Sequence, residues 1–153
     1  MSKQKKRRLP RYGRVANPPS MRFTARDKRI LEAVHAYDGM LGFRQIQRLF
    51  FGGKSQAEHR LKLLYQHCYL NRPNREQRRR VPEMLYWLDK KGARIVASLR
   101  GESYRGFSWR KKPRWFQVEH DLAVNDFRLD VEAACRENPD VTLERWVPEG
   151  VGE

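Results

Sequence analysis

The sequence predicts a mainly α-helical chain with a small β-hairpin. This is an α+β fold in which a winged helix-turn-helix is followed by a long helix and a strand. Three segments between residues 22 and 68 repeat apolar residues at helical spacing. Two apolar runs, CYLNR and MLYWL, then flank a cluster of arginines, as the two strands of a hairpin would. The segment from Trp115 to Asn138 has the apolar spacing of one long helix.

The charge of the chain indicates a polyanionic partner. Its 153 residues include 33 Lys or Arg and 18 Asp or Glu, a net charge of +15. Such an excess favours nucleic acid first and an anionic membrane surface second. No apolar run is long enough to cross a membrane, and Cys68 and Cys135 lie in apolar helical patterns typical of reduced, cytosolic proteins. We therefore expect a cytoplasmic chain with no membrane partner, no cofactor and no metal site.

Basic and acidic residues are segregated along the chain. Residues 1–118 contain 30 basic and 8 acidic residues, whereas residues 119–153 contain 3 basic and 10 acidic residues. This asymmetry predicts segments with different tasks. We expect a basic disordered arm over residues 1–21 and a winged helix-turn-helix DNA-binding domain over residues 22–102. Residues 103–153 are then a linker, a long helix and a strand, which fits the start of a truncated nuclease-like domain.

Helix boundaries in the first domain follow from short capping patterns. Thr24, with Asp27 three residues later, predicts a capping box at the start of the first helix. The second helix spans LGFRQIQRLFF and ends at a pair of glycines. Ser55 and Glu58 predict a second capping box, at the start of the third helix. A further helix begins after Asp89, its predicted N-cap.

The third helix and the arginine cluster supply the candidate DNA-binding residues. In a helix-turn-helix protein, the third helix enters the major groove and its first residues contact base edges. Glutamine suits adenine and arginine suits guanine, and residues at a helix start suit phosphate. Arginines at a hairpin tip would contact backbone phosphates or the minor groove. The predicted DNA-binding residues are Lys54, Ser55, Gln56, His59, Arg60, Arg75, Arg78, Arg79 and Arg80.

The long helix in the last third of the chain has apolar residues on two faces. Val118 and Leu122 begin one face, and Val124 and Phe127 lie on the other. Two apolar faces predict a helix buried between two layers. Residues 141–147, VTLERWV, alternate between apolar and polar like a strand.

The order of these segments resembles the replication-relaxation family of plasmid and integrative-element proteins. The most specific part of the resemblance is the spacing His120-x-Leu122-x-Val124-Asn125-Asp126. The resemblance implies a double-stranded DNA-binding protein that acts in plasmid or mobile-element replication and DNA relaxation, or in its regulation. In longer members a nuclease-like region follows this helix and needs a Glu-x-Lys pair to hold a metal. No Glu-x-Lys follows the helix here, so we expect a non-enzymatic protein with no catalytic residues.

A metal site on this helix is disfavoured by its geometry. His120 and Asp126 are six residues apart, which places them about 120° apart around a helix. We expect His120 and Asn125 to be hydrogen-bonded inside the interface between layers.

Two other functions and two kinds of protein partner stay open. The chain could be the DNA-reading N-terminal part of a nuclease-like enzyme. It could also be an RNA-binding basic protein, because aromatic and basic residues alternate between Tyr104 and Phe116 and could stack on unpaired bases. A homodimer would fit paired half-sites, and replication or conjugation proteins are candidate partners.

Overall fold

Six helices and three short strands make up the part of the chain that the computed structural model describes, residues 8–147. Two single-turn 3-10 helices, Tyr104–Gly106 and Trp115–Gln117, precede the last helix. No helix within residues 8–147 is both long enough and apolar enough to cross a membrane. The helices and strands, in chain order, are α1 Ala25–Ala36, β1 Met40–Gly42, α2 Phe43–Phe50, α3 Lys54–Gln66, β2 Leu70–Asn71, α4 Arg75–Arg79, β3 Leu85–Leu88, α5 Lys90–Leu99 and α6 Val118–Glu137.

The three strands form one antiparallel sheet with β3 in the middle. β3 pairs with β1 through Met40 and Trp87, and with β2 through Leu70 and Leu88. All four residues of β3 are buried, as expected of a central strand covered on both faces. The predicted mainly α fold with a small β component is confirmed, and so is the pairing of the two apolar runs. The strand β1, between the first two helices, was not predicted.

A buried ion pair joins the start of α1 to the middle of α3. The predicted capping box is present: the Asp27 amide donates to the Thr24 hydroxyl and the Thr24 amide donates to the Asp27 carboxylate. The same carboxylate, which is fully buried, accepts hydrogen bonds from Nε and Nη2 of Arg60. Burial by itself would raise the pKa of Asp27, but the hydrogen bonds from Arg60 and Thr24 outweigh it and lower the pKa.

Two apolar clusters hold the helices on the sheet. The larger one joins α1, α3 and α5 through side chains such as Leu31, Leu64 and Val96. The smaller one lies where α6 packs against the sheet, with Leu122 of α6 near Trp87 of β3. The predicted helix after Asp89 is confirmed, because the Asp89 side chain accepts from the Lys90 amide.

Polar side chains lock α6 to β1 and α2. The buried amide of Asn125 donates to the Met40 carbonyl at 2.8 Å. The amide of Gln45, also buried, donates to the Leu122 carbonyl and to Asp126. The predicted hydrogen bonding of Asn125 inside an interface is therefore confirmed.

The outer face of α6 differs from the prediction. Phe127 is 63 % exposed, so α6 is covered on one face rather than buried between two layers. His120 is exposed rather than enclosed in the interface. Residues 141–147 form no strand, and the sheet has no edge contributed by this segment. Alternation alone does not make a strand when no partner strand is within reach.

The start of α3 and the arginine cluster also differ from the prediction. Gly53 is the N-cap of α3 and makes no side-chain capping bond, so the capping box at Ser55 is wrong. The cluster does not form a simple hairpin tip, because α4 interrupts it. Asn74 and Gln77 form a reciprocal capping box that starts this short helix.

The N-terminal segment, residues 8–20, packs against α3 instead of extending from the domain as a disordered arm. Arg14 donates to the Tyr65 carbonyl and forms an ion pair with Asp89 at 2.7 Å. The Gln66 side chain accepts from the Val15 amide and donates to the Gly13 carbonyl. Residues 1–7 of the predicted arm lie outside the described residues.

Replacing Arg60 with glutamine should lower the free energy of unfolding by roughly 3 kcal/mol at pH 7, because it leaves a buried carboxylate without its cation. The folded-state pKa of Asp27 is depressed, so its stabilising contribution is present above its unfolded pKa and is lost as pH falls through the folded value. The difference in unfolding free energy between the parent and R60Q should therefore become smaller in acid. Urea unfolding measures this difference in unfolding free energy at pH 7 and at about pH 3, which is below the ordinary pKa of an aspartate in an unfolded chain.

The control for this experiment is R48Q. Arg48 pairs with Asp130 on the surface, where both side chains are largely exposed. This variant should lose less than about 1 kcal/mol. Equal stability of R60Q and the parent at pH 7 would contradict the structural role of the buried pair.

Gly92 should not tolerate a side chain. A Cβ atom there would overlap the Tyr69 carbonyl oxygen, a backbone atom that cannot move aside alone. We expect G92A to lose about 1–3 kcal/mol of unfolding free energy through overpacking of α5 against the chain before β2. At Gly52 nothing lies within 4 Å of the added atom, so G52A is the matched control. A similar urea midpoint for both variants would contradict this packing.

Candidate nucleic-acid interface

A basic groove, which we call the α3 groove, runs between α3 and the β2–β3 connection, residues 72–84. Residues of α2 and of the N-terminal segment also line it. Among the described residues, two acidic side chains, Glu58 and Glu83, face seven basic ones. The basic residues are Arg8, Arg11, Arg44, Lys54, Lys62, Arg72 and Arg78.

The two carboxylates offset only part of the positive charge of this groove. Glu83 accepts from the backbone amide of Arg44, so it caps α2 rather than pairing with a guanidinium group. Glu58 lies 3.9 Å from Lys54 in an exposed pair that contributes little. The pKa of Lys62 is lowered, first by burial and then by the positive charges of Arg72, Arg8 and Arg11. A concentrated positive potential of this kind attracts a polyanion.

The beginning of α3 presents most of its predicted DNA-binding residues to solvent. Lys54, Ser55, Gln56 and His59 are all exposed. Lys54 borders the α3 groove, and His59 lines a second cleft between α3 and the N-terminal segment. These side chains are accessible to a partner that approaches along α3.

Arg60 does not lie with this group. Its guanidinium group binds Asp27 and the Arg22 carbonyl, and its side chain is only 15 % exposed. A bidentate contact with guanine would require breaking a buried ion pair. This position contradicts the predicted role of Arg60 as a base-contacting residue, because a fully buried carboxylate requires the same guanidinium.

The four predicted arginines of the β2–β3 connection are carried by α4 and the residue after it. Arg75, Arg79 and Arg80 are exposed, and Arg80 pairs with Glu76 in an exposed i, i+4 contact at 3.0 Å. Arg78 turns back to donate to the Val81 carbonyl and lines the α3 groove. The short helix thus distributes the arginines between the groove and the outer surface.

Five basic residues of the groove were not in the predicted set: Arg8, Arg11, Arg44, Lys62 and Arg72. The position of Lys62 could have been predicted from the sequence, because Lys62 follows Lys54 and Glu58 at i, i+4 spacing on α3 and must share their face. The positions of Arg8 and Arg11 could not have been predicted in this way, because they depend on how residues 8–20 pack against α3.

The aromatic and basic stretch before α6 is largely used for packing. Trp115 meets Trp87 edge-on, with ring centroids 5.7 Å apart, and Trp109 packs against the larger apolar cluster. Phe116 is 86 % exposed. Within residues 8–147, no group of three or more His, Cys, Asp or Glu side chains is arranged to hold a metal ion.

Comparison with known proteins identifies the family of the chain. No curated protein and no solved structure matches it significantly. Residues 33–152 match the profile of a protein family described as replication-relaxation. This match covers most of the chain, from within α1 to beyond α6, and includes the whole α3 groove except its N-terminal arginines. The chain therefore belongs to the replication-relaxation family, which supports a role in the replication of plasmids or mobile elements.

Proposed function

We propose that the chain binds double-stranded DNA through a winged helix-turn-helix, with α3 in the major groove and the β2–β3 connection as the wing. The observation that carries this proposal is the α3 groove, where seven basic side chains face two acidic ones beside an exposed helix start. The order of the elements supports it. Three helices, with β1 after the first, are followed by the antiparallel strands β2 and β3, as in a winged helix-turn-helix. A helix is the element that fits the width of the major groove.

Base contacts are made by the start of α3, and phosphate contacts by the β2–β3 connection. Ser55, Gln56 and His59 lie at the exposed start of α3, where base edges are within reach. Gln56 suits adenine, and a good bidentate contact of this kind contributes about 1–3 kcal/mol of discrimination. The cations carried by α4 and the residue after it contact phosphates, which gives affinity and salt dependence without sequence preference.

We propose further that the protein acts by binding and not as an enzyme. Two residues of the spacing that carries the family resemblance, Asn125 and Asp126, form hydrogen bonds with Met40 and Gln45. Side chains used in this way position helices rather than a reacting group. The bound protein would mark cytoplasmic plasmid or mobile-element DNA for replication or conjugation proteins, as a monomer or as a dimer on paired half-sites.

The double variant K54Q/R78Q should weaken duplex binding and lower its salt dependence. Both residues line the α3 groove, and each removed phosphate contact should reduce the slope of log K against log salt by about 1. Fluorescence anisotropy of a labelled duplex over a salt series measures both effects.

A matched control removes the same charge elsewhere. R94Q/R105Q changes two exposed arginines on α5 and the turn after it, neither of which lines the groove. This pair should leave the slope almost unchanged. Equal effects of the two variants would mean that net charge alone, and not the groove, governs binding. A single-stranded competitor that displaces the duplex at equal concentration would instead favour unpaired nucleic acid.

Replacing Gln56 with alanine should reduce discrimination between sequences without changing the salt slope. A base contact contributes to the preference for a particular sequence, whereas phosphate contacts act on every duplex. We expect the ratio of affinities for a duplex from the element's own replication origin and a mixed-sequence duplex to fall by about tenfold, within the 1–3 kcal/mol range of one contact. A Q56A ratio equal to that of the parent would exclude this residue from base recognition.

A further inference from the structure

Arg72 is a buried cation without a counterion. It is only 6 % exposed, and within residues 8–147 no carboxylate forms an ion pair with it. Its Nη2 donates to the Arg11 carbonyl and, at 3.5 Å, to the Pro10 carbonyl, while its Nε is buried and has no hydrogen-bond partner. Burying a charge with unsatisfied donors is costly unless another group compensates it. A buried guanidinium of this kind is therefore suited to an anionic ligand.

Other cations gather around Arg72. Its guanidinium lies 4.3 Å from the centre of the Tyr65 ring, and that of Arg14 lies 4.5 Å from the same centre. Arg8, Arg11 and Lys62 line the same groove as Arg72. These charges, after burial itself, hold the pKa of Lys62 below its ordinary value. Arg14 is neutralised by Asp89, but the other cations repel one another, so an anion bound among them would lower the free energy of this arrangement.

We propose that Arg72, Lys62, Arg8 and Arg11 form a phosphate-binding pocket in the α3 groove. Arginine and lysine are the side chains that bind phosphate best, and several cations around one point suit its several charged oxygens. A phosphate of bound DNA or a free phosphate has this chemistry. Binding of a DNA phosphate at this pocket rests on the proposed function, whereas binding of free phosphate does not.

The N-terminal segment is a structural part of this pocket. Hydrogen bonds of Gly13 and Val15 to the side chains of Tyr65 and Gln66, and the ion pair of Arg14 with Asp89, hold the segment on α3. This anchoring carries Arg8 and Arg11 to the groove. Phosphate binding should in turn hold the segment more firmly, since it removes the repulsion among these cations.

The experiment compares the parent with R11Q/K62Q, and uses R94Q/R105Q as the control with the same change in charge. Lys62 is half-buried and Arg11 exposed, so these changes leave Arg72 and its contacts with the segment in place. Inorganic phosphate is titrated at constant ionic strength while the melting temperature is followed. The general stabilising effect of phosphate on proteins acts on all three alike. We expect a saturable extra rise in the parent and the control, and its loss in R11Q/K62Q.

The same variants are measured in the duplex salt series. If the phosphate comes from DNA, R11Q/K62Q should lower the slope by about 2, as K54Q/R78Q does. Loss of the phosphate effect with an unchanged duplex slope supports the pocket and assigns it to a free phosphate. An equal phosphate effect in parent and R11Q/K62Q, with an equal duplex slope, overturns the pocket and leaves the proposed function standing. A parent that binds phosphate saturably but no duplex supports the pocket and overturns the proposed function.

Discussion

The buried ion pair between Asp27 and Arg60 is the constraint on which the α3 groove depends. Asp27 is fully buried at the start of α1, so its charge requires the guanidinium of Arg60. This requirement fixes how α3 is rotated about its own axis. With Arg60 turned to α1 and Ala57, Leu61 and Leu64 turned to the core, another face of α3 points to the α3 groove. That face carries Lys54, Glu58 and Lys62.

Features decided by neighbours in sequence were predictable. The capping box of Thr24 and Asp27, the cap at Asp89 and the single long helix α6 each depend on residues within a few positions of one another. The pairing of β2 with β3 also followed, because two short apolar runs flank a polar connection. The resemblance to the replication-relaxation family was based on the order of the segments and on the spacing between His120 and Asp126, and the match over residues 33–152 confirms it.

Features decided by distant residues were not predictable. Arg60 looked like a base-contacting residue because its partner Asp27 lies 33 positions away and bears no local sign of burial. The N-terminal segment looked disordered because its composition is polar and basic, yet Tyr65 and Gln66 provide specific partners for it. The one-turn helix in the arginine cluster was missed although Asn74 and Gln77 have the spacing of a capping box.

The acidic residues of α6 explain how one small chain can keep its groove strongly positive. Asp121 pairs with Arg114 at 2.6 Å and Glu132 with Arg128 at 2.9 Å, so part of the negative charge neutralises arginines outside the groove. Asn125 and Asp126 meanwhile bind Met40 and Gln45, which secures β1 and α2. Because α2 carries Arg44 into the groove and packs on α3, the contacts of Asn125 and Asp126 also support the framework of the groove. Segregated charge on this framework concentrates the positive potential at the groove.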